Sequence, residues 1–272
     1  MNKQLVLASG NTVVYYSTGH ENMLPHNHCH AEYELIFTLF GSGICTVEGV
    51  DFPLTPGSVL LVPPYKFHTV EVTGEAPKGF SIAFLGDRLS AEVTEILTGS
   101  LVSASNSGAY LSELEIHNLS SILERLKNSS LMPERERDIF VNLVLSEVLV
   151  LISARHDEPI LPDERDLGIL VMNYINENID LNMSLDRIAK RFFVSKFYLC
   201  RVFKERNGVS VHNYINTKRL AYAKTLIEGG ESAAGAAYKV GFGDYSAFYR
   251  AYVKAFGHSP TADSTKIGGT LK

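Results

Sequence analysis

Two rhythms of hydrophobic residues divide the chain. From about residue 5 to residue 85 the apolar positions come in short runs rich in Val, Ile, Phe and Thr. Gly41, Gly43, Gly49, Pro53, Pro56-Gly57, Pro63-Pro64 and Gly79 punctuate them. The runs predict strands at Thr12–Ser17, Glu34–Phe40, Ile44–Glu48, Asp51–Leu54, Ser58–Val62, Thr69–Val72 and Phe80–Leu85. Short strands at turn-length spacing specify a barrel or sandwich. From residue 111 the apolar spacing becomes helical. Leu111–Lys127 and Glu134–Arg155 read as a helical hairpin, with Asn128-Ser129-Ser130 and Pro133 between them. The apolar set of the second helix is wide and includes Ile139, Leu143, Val144, Val148, Leu151 and Ile152, as in a helix buried on more than one side.

Beyond residue 164 every segment reads as helix. Arg165–Asn178, Leu185–Phe192, Ser195–Arg206 and Val211–Glu228 carry the period, with Ser184, Ser195 and Ser210 placed as N-caps. Asp244 is placed to cap a last helix from Tyr245, which Gly257 and Pro260 end. Leu185–Arg206 and Ala233–Phe256 each outline a helix-turn-helix. In the first, Leu199, Val202 and Phe203 face inward, while Phe197, Cys200, Arg201 and Lys204 face out. In the second, Phe248, Tyr252, Val253 and Phe256 face inward, while Tyr245, Ser246, Tyr249 and Arg250 face out. The two candidate reading helices start 50 residues apart, at Ser195 and Tyr245. The 18-residue helix between them is roughly 27 Å long. That length is comparable with the ~34 Å between successive major-groove faces of B-DNA.

The expected fold class is therefore α+β in two domains. Residues 1–157 form a β-barrel with a helical hairpin, 158–164 a Pro-rich acidic linker, and 165–272 an all-α domain with two helix-turn-helix motifs. Charge supports the division. The net charge of −5 splits into 9 Lys and Arg against 19 Asp and Glu up to residue 162, and 16 against 11 beyond it. A positive second half favours a polyanion, which the acidic first half would repel.

Composition narrows the class without naming a chemistry. Hydrophobic content of 45% and charged content of 20% describe a folded globular chain, and no run of about 18 apolar residues would span a membrane. The first residues hold too short an apolar stretch for a secretory signal. Three widely spaced cysteines, Cys29, Cys45 and Cys200, form no disulfide framework, so a cytoplasmic location is expected.

The densest polar stretch is Pro25 to Glu34, which holds His26, His28, His30, Glu32 and Glu34 at alternate positions. Alternate strand residues share one side, and His68 follows about forty residues later. His28, His30, Glu34 and His68 resemble the cupin pattern, in which such groups converge inside a small barrel. Three imidazoles and a carboxylate suit Zn, Fe, Mn or Ni. The same groups can also hydrogen-bond an organic ligand, and a metal-free small-molecule pocket is the reading taken here. No catalytic residue, metal or cofactor is assigned. The competing reading is a metal-dependent cupin enzyme with a helical appendage. A third is a redox or metal sensor that uses Cys29.

The segment from Ser184 to Pro260 resembles the DNA-binding domain of AraC-type (AraC/XylS) transcription regulators. The matching residues are LDRIAKRFFVSKFYLCRVFKERNGVSVHNYINTKRLAYAKTLI and VGFGDYSAFYRAYVKAFGHSP. The barrel with its His-x-His-x-x-x-Glu is similar to the effector domain of the same family. The resemblance implies a regulator that binds a sugar or metabolite in the barrel at His28, His30, Glu34 and His68. It also implies that Ser195, Lys196, Phe197, Cys200, Arg201, Lys204, Tyr245, Ser246, Tyr249 and Arg250 contact promoter DNA. Arg suits bidentate contact with guanine, and Lys196, Lys204 and Arg219 suit phosphate contact or solvated surface. Direct-repeat half-sites, a homodimer through the helical hairpin and, for an activator, RNA polymerase complete the implied partners. Two departures stand out. Ala233, Gly235 and Ala236 occupy a helix where the family has bulky aliphatics, and a Gly inside a helix costs roughly 1 kcal/mol relative to Ala. Asp263-Ser264 stand where the family has an aromatic and an Arg, which argues against a closing helix with a basic contact.

Overall fold

The computed structural model describes residues 3–9, 12–17, 27–86, 89–97, 108–111, 113–153, 166–179 and 183–264. The chain divides into two compact units, Met1–Asp163 and Glu164–Lys272. The stretch 158–164, expected as a linker, lies outside the described residues.

The first unit holds nine strands among the described residues: β1 (Lys3–Ser9), β2 (Thr12–Ser17), β3 (Tyr33–Phe40), β4 (Gly43–Val47), β5 (Val50–Leu54), β6 (Ser58–Val62), β7 (His68–Val72), β8 (Lys78–Phe84) and β9 (Gly108–Tyr110). They form a six-stranded antiparallel sheet in the order β1-β2-β8-β3-β6-β9 and a three-stranded sheet in the order β5-β4-β7. Side-chain alternation along β3 sorts its residues onto two faces. Ile36 meets Leu60 and Val62 of β6 and packs with Cys45, Val47, Phe52 and Leu54 of the smaller sheet. Leu35 and Phe37 pack the other way with Val59, Leu61, Phe80, Ile82 and Phe84, under the helices. Both faces of the sheet are covered, so β3 and β6 read as near-continuous apolar runs.

Three helices complete this unit: α1 (Ala91–Ile96), α2 (Glu113–Asn128) and α3 (Glu134–Ser153). A 3₁₀ turn at Ser129–Leu131 joins the last two. The buried stripe of α3 is Val141, Val144, Leu145, Val148, Leu149 and Ile152, spaced at three and four. Ile139, Leu143 and Leu151, expected on a buried face, are exposed. The helix carries apolar residues on more than one side, and the sheet covers only one. β1, β9 and α1 were not expected from the hydrophobic pattern. Gly10-Asn11 between β1 and β2 is a two-residue hairpin signal that could have found β1. Gly79 on β8 marks the tightest approach in the sheet, because a Cβ there would lie 1.9 Å from the Phe37 carbonyl oxygen. Gly79→Ala is expected to force β3 and β8 apart and to lower stability by about 1–3 kcal/mol or more, measured by denaturant unfolding.

The second unit is all helix among its described residues: α4 (Leu167–Glu177), α5 (Leu185–Arg191), α6 (Lys196–Asn207), α7 (Val211–Glu228), α8 (Ala233–Lys239), α9 (Tyr245–Phe256) and α10 (Pro260–Ser264). Ser184, Ser195, Ser210 and Ser232 each accept from the backbone N–H three residues on, and Asp244 accepts from Ser246 and Ala247. The expected helix starts hold because short polar side chains at these five positions satisfy otherwise orphaned donors. The first motif packs Ile169, Val171, Met172 and Ile175 of α4 with Ile188, Leu199, Phe203, Val211 and Tyr214, all buried. The second packs Ala236, Ala237, Val240, Phe248 and Tyr252 on Leu220, Ala223 and Ile227 of α7.

The alanine-rich α8 fits this second core. Ala236 and Ala237 are fully buried, so their small size sets a close approach rather than a deficit. The Gly235 amide donates to the Ser232 cap, and a Cβ at Gly235 would meet the Glu231 carboxylate at 2.2 Å. The closing helix α10 exists despite Asp263-Ser264. Asp263 is 1% exposed and accepts from the Tyr252 hydroxyl at 2.6 Å and from Lys224 at 3.2 Å. An acidic side chain closes the motif from inside where a basic surface contact was the family pattern.

Candidate nucleic-acid interface and effector cluster

The two helix-turn-helix motifs repeat one geometry. Each has a first helix of 7 residues and a second of 12. Each second helix ends on a left-handed glycine, Gly208 at φ 67° and Gly257 at φ 76°. The turns match as well, with a left-handed residue after the first helix: Phe193 at φ 56° and Gly241 at φ 82°. In α6, Leu199 and Phe203 turn inward, which leaves Ser195, Lys196, Phe197, Arg201 and Lys204 exposed and Cys200 half-buried. In α9, Phe248 and Tyr252 turn inward, which leaves Tyr245, Ser246, Tyr249 and Arg250 exposed. Each residue singled out from the helical spacing therefore lies on the face away from the core. Phe197 is 78% exposed, so it is no part of the hydrophobic core.

Some of these groups are already engaged. Lys196 pairs with Asp186 of α5 at 2.8 Å, which ties the start of the reading helix to its support. The Arg201 guanidinium lies 5.5 Å from the Tyr198 ring centroid. Tyr198, exposed on the same helix, was missed, although its place one turn before Arg201 was legible. Phe193 lies in the turn between α5 and α6. It is 94% exposed and holds a left-handed backbone that costs a non-glycine residue roughly 1–2 kcal/mol. Arg219 was read as a phosphate contact or solvated surface. It instead reaches from α7 under the second turn and donates to the Gly241 carbonyl at 3.1 Å, and burial lowers its pKa. It is a brace between α7 and the second motif.

The candidate effector cluster is built across the two sheets of the first unit. Glu34 is on β3 of the large sheet and His68 on β7 of the small one; both are buried. His28 and His68 exchange two backbone hydrogen bonds, N–H to carbonyl at 3.0 and 2.9 Å, which pins the segment before β3 to β7. The rings of His28 and His68 lie 4.2 Å apart, and those of His30 and His68 5.0 Å apart. Glu34 Oε2 lies 3.2 Å from His30 Nε2 and 3.1 Å from His68 Nε2. Its Oε1 accepts from the Ser81 hydroxyl of β8. On the far side of each ring, His30 Nδ1 donates to the Glu32 carbonyl at 3.0 Å and His68 Nδ1 to the Lys66 carbonyl at 2.9 Å. Burial lowers the His30 pKa, but the hydrogen bond to Glu34 and its charge outweigh this and leave it raised. The four residues expected to converge do so. Glu32 lies beside His30 but outside the cluster, and His26 is outside the described residues. Cys29, Cys45 and Cys200 form no disulfide.

Family models match both units of the chain. The model of the AraC-like ligand binding domain matches residues 12–149, and that of a Helix-turn-helix domain matches residues 188–265. The chain belongs to the AraC family of transcription regulators. Its curated relatives in this family include the uncharacterised HTH-type transcriptional regulator YbfI of Bacillus subtilis, 27% identical over 231 residues, 81% of this chain and 80% of the relative. The HTH-type transcriptional activator RhaS of Escherichia coli is 24% identical over 241 residues, 86% of this chain and 85% of the relative. Among solved structures, ToxT of Vibrio cholerae covers 93% of this chain and 97% of its own, at 15% identity and a TM-score of 0.41. The AraC-type assignment carries a DNA-binding regulator with a ligand-binding domain. The relatives named above are transcriptional regulators. None of the described helices is long and apolar enough to cross a membrane.

Proposed function

We propose that this AraC-type regulator reads two successive major-groove faces of promoter DNA, through α6 and α9, under the control of a small polar effector in the barrel. The observation that carries the reading is the repeated motif. Two helix-turn-helix units of matching helix lengths, with aromatic and basic groups outward, share the rod α7. Arg201 and Arg250 are the base-reading arginines, while Tyr245, Tyr249 and Phe197 offer ring surface to thymine methyls and sugars. Lys204 and Lys196 serve phosphates and set register. The polar cluster of His28, His30, Glu34 and His68, buried at Glu34 and His68 and partly open at His28 and His30, suits a sugar or metabolite rich in oxygen. A homodimer through the exposed side of α3, at Ile139, Leu143 and Val150, would add a second pair of reading helices and so a second half-site.

Selection of DNA sequences by the purified chain, followed by footprinting, tests this. The expected footprint has two protected major-groove patches per chain, about 10 base pairs apart. The affinity should fall steeply with salt, because phosphate contacts release counterions. A single protected patch, or binding without sequence preference, would overturn the two-helix reading.

A further inference from the structure

We infer that His28, His30, Glu34 and His68 form a binding site for one divalent first-row transition metal ion. Hydrogen bonding on the far side of the rings carries this inference. A carbonyl oxygen can only accept, so the Nδ1 atoms of His30 and His68, bonded to the Glu32 and Lys66 carbonyls, bear their protons. In the neutral rings Nε2 is then a bare lone pair, and both lone pairs face the same carboxylate oxygen at 3.2 and 3.1 Å. Lone pair against lone pair is repulsive. A cation among them takes both lone pairs and the carboxylate as ligands, where protons would otherwise have to be shared across these contacts.

Two added protons would place two imidazolium rings 5.0 Å apart on one oxygen of one carboxylate, with the His28 ring 4.2 Å from His68. A single divalent ion carries the same charge and uses every lone pair. The distances suit it. The four donor atoms lie within 4.8 Å of one another. Donors about 2.1 Å from a common ion stand roughly 3.4 Å apart in a tetrahedron, close to the two Glu34–His separations. Small rotations of His28 and His30, the two partly exposed members, close the remainder.

The surrounding hydrogen bonds are those that metal ligands need. Nδ1–H to a backbone carbonyl fixes the tautomer and aims Nε2, and Ser81 holds the other oxygen of Glu34. Three imidazoles and one carboxylate, without thiolate, select Zn, Ni, Fe or Mn over soft monovalent copper. The side towards His28 and His30 stays partly open, which leaves a coordination position for an oxygen of an effector. This departs from the metal-free pocket expected from the sequence. It stands apart from the DNA reading, since metal uptake is measured without DNA.

The test is titration of the untagged full chain, stripped with a chelator, by Zn²⁺ and by Co²⁺. The expected result is uptake of about one ion per chain, with a Co²⁺ spectrum of nitrogen and oxygen ligands and no thiolate band. Cys29→Ser should bind as the wild type does. His30→Gln and His68→Ala should lose uptake, and Ser81→Ala, which keeps all four ligands, should weaken it by about 10- to 100-fold. Circular dichroism should show each variant folded; His30, being partly exposed, is the safest of the three. Wild-type uptake below a tenth of an equivalent, undiminished uptake by folded His30→Gln, or loss of uptake on Cys29→Ser would each overturn the site.

Discussion

Arg201→Ala weakens binding to the selected DNA site by about 5- to 150-fold, as does Arg250→Ala, each with an unchanged fold. The range follows from the roughly 1–3 kcal/mol that a good bidentate base contact contributes. Both residues are exposed, and neither fills a core, so truncation removes a contact without opening a cavity. They lie on separate motifs, so their effects should nearly add in the double variant. Each loss should also relax the base preference at its own patch. Lys204→Ala should instead weaken all sequences alike and flatten the salt dependence, the mark of a phosphate contact. Arg201→Lys separates charge from geometry, because an ammonium cannot make the planar fork. Gel-shift titration against the selected site and a scrambled one measures all of these. Unchanged affinity in both arginine variants would remove α6 and α9 as the readers.

The largest loss of stability is expected at Asp263. Asp263→Ala leaves the buried Tyr252 hydroxyl and the Lys224 ammonium without their shared acceptor. Removing one partner of such a buried set costs about 3 kcal/mol, the lower end being apt because Lys224 still reaches Glu228 at 3.3 Å. Tyr252→Phe should cost only about 1 kcal/mol. Acid should reveal the same carboxylate. Burial alone would raise the Asp263 pKa, but the Tyr252 hydrogen bond and the charges of Lys224 and His258 outweigh it and hold it below the ordinary value. A lowered folded pKa means that the contribution is complete above the unfolded value, near 3.9, and is lost as pH falls through the folded one. Wild type and Asp263→Asn should therefore converge in stability below about pH 4. Urea unfolding across that range measures both effects. Parallel pH curves for the two proteins would show that the carboxylate charge contributes nothing.

Much of the fold was legible in local patterning. The strands from β2 to β8 follow short β-branched and aromatic runs between turn residues, and each cap in the second unit is a Ser or Asp whose effect is local. The reading faces were legible because helical spacing separates Leu199 and Phe203 from Phe197 and Arg201, and Phe248 and Tyr252 from Tyr249 and Arg250. The approach of His28, His30 and Glu34 followed from their spacing.

Other features depended on partners distant in sequence. Which stripe of α3 is buried depended on the sheet beneath it, since Ile139 and Leu143 are as apolar as Val141 and Leu145. The role of α8 depended on α7: small residues weaken a helix by propensity, yet here they permit close packing. Asp263 looked like a lost basic contact until Tyr252 and Lys224 met it. Arg219 looked like surface until the turn at Gly241 closed over it.

By itself, then, the sequence determined the two-domain α+β architecture, the paired motifs and the identity of their outward faces. Each of these rests on interactions within a few residues, where periodicity and capping act. Only the tertiary structure decided how the His–Glu cluster is oriented. The Ser81 hydroxyl on Glu34 and the backbone bridge between His28 and His68 join segments up to 47 residues apart. The carbonyl partners of His30 and His68 lie only two residues away, but the two rings meet one carboxylate only when the two sheets face each other.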